Sequence, residues 1–126
     1  MRRSAYLELI EQAHLTGQLY WEVGDAYVRS PAHDAWLARI EELRDELRAA
    51  FDPLMRCSRI VVLEGPHSVA DTAEALLEAA RRANRALWVV SRGESDAREH
   101  FEAAEEAFGL CLKKLVHAAQ AAMATA

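Results

Sequence analysis

Two cysteines, three prolines and five glycines are all that occur in 126 residues. So few chain breakers cannot supply the many tight turns of a strand-rich fold. Cys57 and Cys111 stand far apart and in no metal-ligand spacing, which excludes a zinc motif of the usual kind. Both are expected to be buried, reduced thiols, because free cysteine packs as a small hydrophobe. Basic charge is also short: 15 Lys and Arg face 20 Asp and Glu, a formal net charge of −5. Gripping a phosphate backbone needs a basic face, and this balance argues against nucleic acid as a partner. The longest strongly apolar run, Ile60 to Leu63, is far short of the ~20 residues that span a bilayer. After Met1-Arg2-Arg3 the acidic Glu8 and Glu11 interrupt any apolar secretory stretch. The expectation is a cytoplasmic protein with no membrane partner. No Gly-rich phosphate loop is present.

What the chain does have is helix-forming material. Alanine, leucine, glutamate and arginine dominate, and 52% of residues are apolar, ample for one core. Four stretches repeat apolar residues at alternating spacings of three and four, the pattern of helices packed along a shared seam. The first runs Tyr6, Leu9, Ala13, Thr16, Tyr20, Val23, Tyr27. The second runs Trp36, Ile40, Leu43, Leu47, Ala50, Leu54, Cys57, Val61. The third runs Val69, Ala73, Leu76, Ala80, Ala83, Leu87, Val90, and the fourth Ala97, Phe101, Ala104, Phe108, Cys111, Leu115, Ala118, Ala122. Thr16 is the one polar member, and its hydroxyl can bond back to its own helix.

Punctuation lies between the seams. Ser30-Pro31 offers an N-cap before a proline at the first helical position, and Gly65-Pro66 stops one helix and starts the next. Gly93 suits a left-handed C-terminal position, with Ser95 as the following N-cap. Helices are therefore expected near 4–29, 31–64, 66–92 and 95–123. Short connections make successive helices antiparallel neighbours. The predicted fold is all-α, a single domain over 1–126, built as an antiparallel up-down-up-down four-helix bundle. Asp52-Pro53 would ordinarily end a helix. The seam nevertheless keeps phase from Leu47 through Leu54, which predicts one long second helix kinked near Pro53. Large residues gather toward one end and Ala13, Ala73, Ala80, Ala118 and Ala122 toward the other. Gly17 and Gly24, seven apart beside the first seam, would permit close approach of another helix.

The segment Arg59-Ile-Val-Val-Leu63-Glu-Gly65-Pro66-His-Ser-Val69-Ala-Asp-Thr-Ala73 resembles a recurring element of uncharacterised small all-helical proteins of actinobacteria. In those, a leucine, one residue and Gly-Pro join two helices. The helix lengths and the polar break before the last helix are similar as well. The resemblance implies a bundle and supplies no activity; Pro53 departs from its pattern.

Chemical candidates are few. A di-metal carboxylate site needs Glu-x-x-His on two helices and a glutamate from each of two others. Glu11-Gln-Ala-His14 matches that spacing; Glu64-Gly-Pro-His67 is cut by the helix joint, and neither glutamate is on a seam. His14 and His117 sit one residue off the seams of neighbouring helices, too few ligands for zinc. No metal and no cofactor is expected. Tyr20, Trp21, Tyr27, Trp36 and Trp88 fall at one level of the bundle, an arrangement that suits a pocket for an apolar ligand or plain core packing. The first helix carries Leu7, Ile10, Leu15, Leu19, Trp21 and Val28 beyond its seam, more apolar surface than one core-facing stripe requires. Leu7, Leu15, Leu19 and Trp21 are the expected homodimer interface, although a wide internal stripe would also account for them. Arg81, Arg82 and Arg85 form the densest basic cluster, with Glu74 and Glu78 one turn away. The resulting expectation is a non-enzymatic interaction module that self-associates or engages another protein. The competing class is a small-molecule binder or sensor at the aromatic end.

Overall fold

The computed structural model describes residues 2–29, 32–93 and 96–125. Within them the chain forms α1 (Arg2–Arg29), α2 (His33–Glu64), α3 (His67–Ser91) and α4 (Ala97–Ala124), with no strand among the described residues. The protein is an all-helical bundle in which α1 packs on α2, α2 on α3, α3 on α4 and α4 on α1, while the backbones of the diagonal pairs stay apart. Contacts near the ends show the directions. Tyr27, late in α1, meets Trp36, early in α2, with ring centroids 5.1 Å apart. The Arg98 guanidinium, early in α4, lies 4.1 Å over the Tyr27 ring. Ser58 in α2 donates a 3.2 Å hydrogen bond to the Ala73 carbonyl in α3, and farther up Phe51 lies under Arg81, so α2 and α3 also run in opposite directions.

The punctuation acts largely as its chemistry dictates. Pro66 precedes α3 rather than opening it: its ψ of 160° turns the chain, and its carbonyl accepts the N–H groups of Val69 and Ala70 at 3.0 Å. Gly93 adopts φ 73° beyond α3, the left-handed geometry that glycine enters without a Cβ penalty. Ala32, in extended backbone, precedes α2. The expected caps Ser30 and Ser95, and Pro31 with them, lie outside the described residues.

α2 runs without a break through Pro53. A proline in a helix interior costs about 3 kcal/mol, because it donates no hydrogen bond and crowds the preceding turn. Leu54 and Val61 beyond it are both fully buried. Burying such side chains contributes roughly 1.5–3 kcal/mol each, so continuing the helix outweighs breaking it.

The seams form the core, with one systematic correction. Cys57 and Cys111 are half-buried, not buried, and Ser58 and Ala119 take inward positions beside Cys57 and Ala118. An α-helix advances 3.6 residues per turn, whereas strict three-four spacing assumes 3.5. The inward position therefore falls one residue later at Ser58 and Ala119, while Val61 and Leu115 stay on their seams. Thr16 donates to the Gln12 carbonyl of its own helix at 3.0 Å. Partial burial, then the nearby Glu8 carboxylate, pushes the Cys57 thiol above its ordinary pKa against the opposing Arg56 charge.

The joint between α2 and α3 depends on Gly65. Its N–H bonds the Val61 carbonyl at 2.7 Å. A Cβ at this position would stand 2.7 Å from that same oxygen, with the Tyr6 ring 3.5 Å away on the other side. Gly65→Ala is therefore expected to lower stability by about 1–3 kcal/mol through overpacking, read as a lower urea midpoint. An unchanged midpoint would show that the joint relaxes freely.

Candidate functional site

The five aromatics expected at one end do not share one environment. Tyr20 has no exposed surface and packs edge-on against Phe101 and Phe108, at centroid distances of 6.0 and 5.1 Å. Its hydroxyl lies 2.8 Å from Asn84 Oδ1 and 3.2 Å from the Ala80 carbonyl, both on α3. Burial raises the Tyr20 pKa far above the usual tyrosine value, so the group stays a neutral donor. Tyr27 and Trp36 are brought together, half-buried, with Arg98 over the Tyr27 ring. Burial raises the Tyr27 pKa, Arg98 opposing and Glu102 adding to the shift. Trp21 and Trp88 point outward, Trp88 beneath the Arg92 guanidinium at 4.7 Å.

The outward side of α1 is apolar in a regular way. Leu7, Trp21 and Val28 are 50%, 57% and 81% exposed. With Ile10, His14, Gly17 and Gly24 they repeat the three-four spacing of the core seam, displaced by one residue. At ~100° per residue this second seam lies about 100° around the helix from the first. It borders α4, because a Cβ on Gly17 would meet the Phe108 ring at 3.7 Å. At Gly24 a Cβ would meet nothing within 4 Å. The α1–α4 contact is the least extensive of the four between neighbours. Of the expected interface residues, Leu7 and Trp21 belong to this face. Leu15 is exposed but lies roughly 80–120° around the helix from them, and Leu19 packs against the core.

His14 and His117 are both exposed. Among the described residues no group of three or more His, Cys, Asp and Glu side chains could hold a metal ion. None of the helices among those residues is long and apolar enough to cross a membrane. The arginines of α3 were visible in the sequence, but their partners were not. Arg81 and Arg85 face Arg44 and Arg48 of α2 across a groove of about 390 Å³. That feature had no local signal, since its two halves are separated by more than thirty positions in the chain.

No family model matches the chain, and neither the curated proteins nor the solved structures include a match to it.

Two changes test the interior chemistry. Tyr20→Phe keeps the ring but strands the acceptors on α3, and an unfolding free energy lower by about 1–2 kcal/mol is expected in urea titration. Glu105 is half-buried; burial first, and then the Glu102 charge, raise its pKa. The folded state therefore binds its proton more tightly than the unfolded chain, and the ionised carboxylate weakens the fold at pH above the folded pKa. Glu105→Gln should raise the melting temperature at pH 7, with the gain shrinking as pH falls through the raised folded pKa toward the unfolded value. A gain that grows on acidification would reverse that sign.

Proposed function

We propose that this protein is a non-enzymatic, cytoplasmic helical module that self-associates through α1. The observation that carries this reading is the second seam from Leu7 to Val28, whose Leu7, Trp21 and Val28 stand in solvent beside the thinnest contact of the bundle. Scattered single apolar residues are normal on a surface, but large ones aligned on one helix face suit an interface. A second copy of the chain suits this stripe because its heptad spacing is self-complementary. An antiparallel pairing centred between Gly17 and Gln18 sets Leu7 against Val28 of the second copy and His14 against its Trp21. Gly24, with open space at its Cα, lets the two helix axes come close. Tryptophan is the residue type that most often anchors such contacts.

A small-molecule site at the aromatic end is the second reading, and it draws less support. Tyr20 is consumed in the core and Trp21 and Trp88 face away from it, so Tyr27 and Trp36 alone remain for such a pocket.

Light scattering on a sizing column tests the leading reading. The native chain is expected at twice its 14.1 kDa mass. Trp21→Glu and Leu7→Lys should each weaken the dimer by at least about 2 kcal/mol and elute as monomer, whereas Leu15→Glu should not. A native chain that stays monomeric at high concentration, or a Trp21→Glu variant that remains dimeric, would refute the assignment.

A further inference from the structure

The groove between α2 and α3 concentrates positive charge. It is lined by Arg44, Arg48, Arg81 and Arg85, by Asn84 and Asp52, and by Leu47, Phe51 and Leu87. Four guanidinium groups and one carboxylate thus meet in a protein whose net charge is −5. The Phe51–Arg81 and Ser58–Ala73 contacts set the register of the two antiparallel helices. That register brings Arg48 level with Arg85, two like charges across the groove.

Little of this charge is neutralised by hydrogen bonds. Arg44 donates to Glu41 at 3.1 Å. Arg48 and Arg81 have Asp45 and Glu78 only at 3.7 Å, beyond hydrogen-bonding length. Arg85 has no carboxylate within 4.0 Å among the described residues. Each guanidinium carries five N–H donors in a flat fork, so most donors in the groove are unspent. Arg81 is held over the Phe51 ring at 5.7 Å. Asn84 is fixed because its Oδ1 accepts from buried Tyr20, which leaves its amide hydrogens as donors toward the groove. The floor is apolar: Leu47 and Leu87 are buried and Phe51 is half-buried.

These groups select the ligand class. Forked donors match a carboxylate or phosphate head, and the leucine and phenylalanine floor matches an apolar body. The volume lies within the ~300–1,000 Å³ of small-molecule sites. Glu41, Asp45 and Glu78 stand just outside, where they would repel a long polyanion. We propose that the α2–α3 groove binds a small amphipathic oxyanion, a single carboxylate or phosphate ester on an apolar body the size of one ring. This site is independent of the α1 face.

Calorimetric titration of the full chain tests it, with phenyl phosphate, benzoate, inorganic phosphate and neutral benzamide as probes. Saturable 1:1 binding of phenyl phosphate or benzoate is expected, and whichever binds more tightly identifies the head group. Arg48→Ala and Arg85→Ala, checked for unchanged helicity, should each weaken that binding by about tenfold or more. Arg85 also borders the channel between α3 and α4, which Arg82 lines, so Arg82→Ala is the control and should leave binding unchanged. No saturable binding of either aryl anion at millimolar concentration would overturn the proposal. So would benzamide or inorganic phosphate binding equally well, or Arg82→Ala weakening binding as much as Arg48→Ala.

Discussion

A tyrosine with no exposed surface joins three of the helices at mid-bundle. Tyr20 of α1 wedges its ring edge-on against Phe101 and Phe108 of α4 and gives its hydroxyl to Ala80 and Asn84 of α3. Burying a phenol is favourable only when its hydroxyl is satisfied, so this one side chain sets where α3 stands relative to α1. It also holds Asn84, which lines the arginine groove. Packing in the core and polar geometry at the surface thus depend on the same contact.

The rest of α1 divides between two duties. One seam fills the core, and the adjoining seam, one residue on, leaves Leu7, Trp21 and Val28 in solvent. The division follows from neighbour size. Phe108 reaches toward Gly17, so a large α4 side chain meets a residue with none, and the helices touch there without covering Trp21 or Val28. A helix with two apolar stripes rotated by about 100° can close a bundle with one and present the other.

Charge is distributed with similar economy. Along α2, α3 and α4 most arginines stand three or four residues from an acid, and such exposed pairs contribute little to stability. Where α2 and α3 face each other the balance fails locally, because Arg44 and Arg48 on one helix and Arg81 and Arg85 on the other project into one groove. The like charges oppose the packing of these two helices, and the buried leucines and alanines along the same interface outweigh them.

Helix number, approximate bounds and most core positions could be read directly from the chain, because apolar periodicity is a local property imposed by helical geometry. Even the passage of α2 through Pro53 was legible, since Leu54 keeps phase with Leu47. The one-residue drift to Ser58 and Ala119 was not, because it depends on how far each helix departs from the 3.5-residue repeat. Tertiary structure alone decided the fate of the aromatics, sending Tyr20 into the core and Trp21 and Trp88 outward. It alone created the groove, for Arg48 and Arg85 become neighbours only through the antiparallel register of two helices. Few breakers, helix-forming composition and apolar periodicity thus determine an all-helical chain. Where its few concentrated cations meet is set by packing between segments remote in sequence, which no local spacing records.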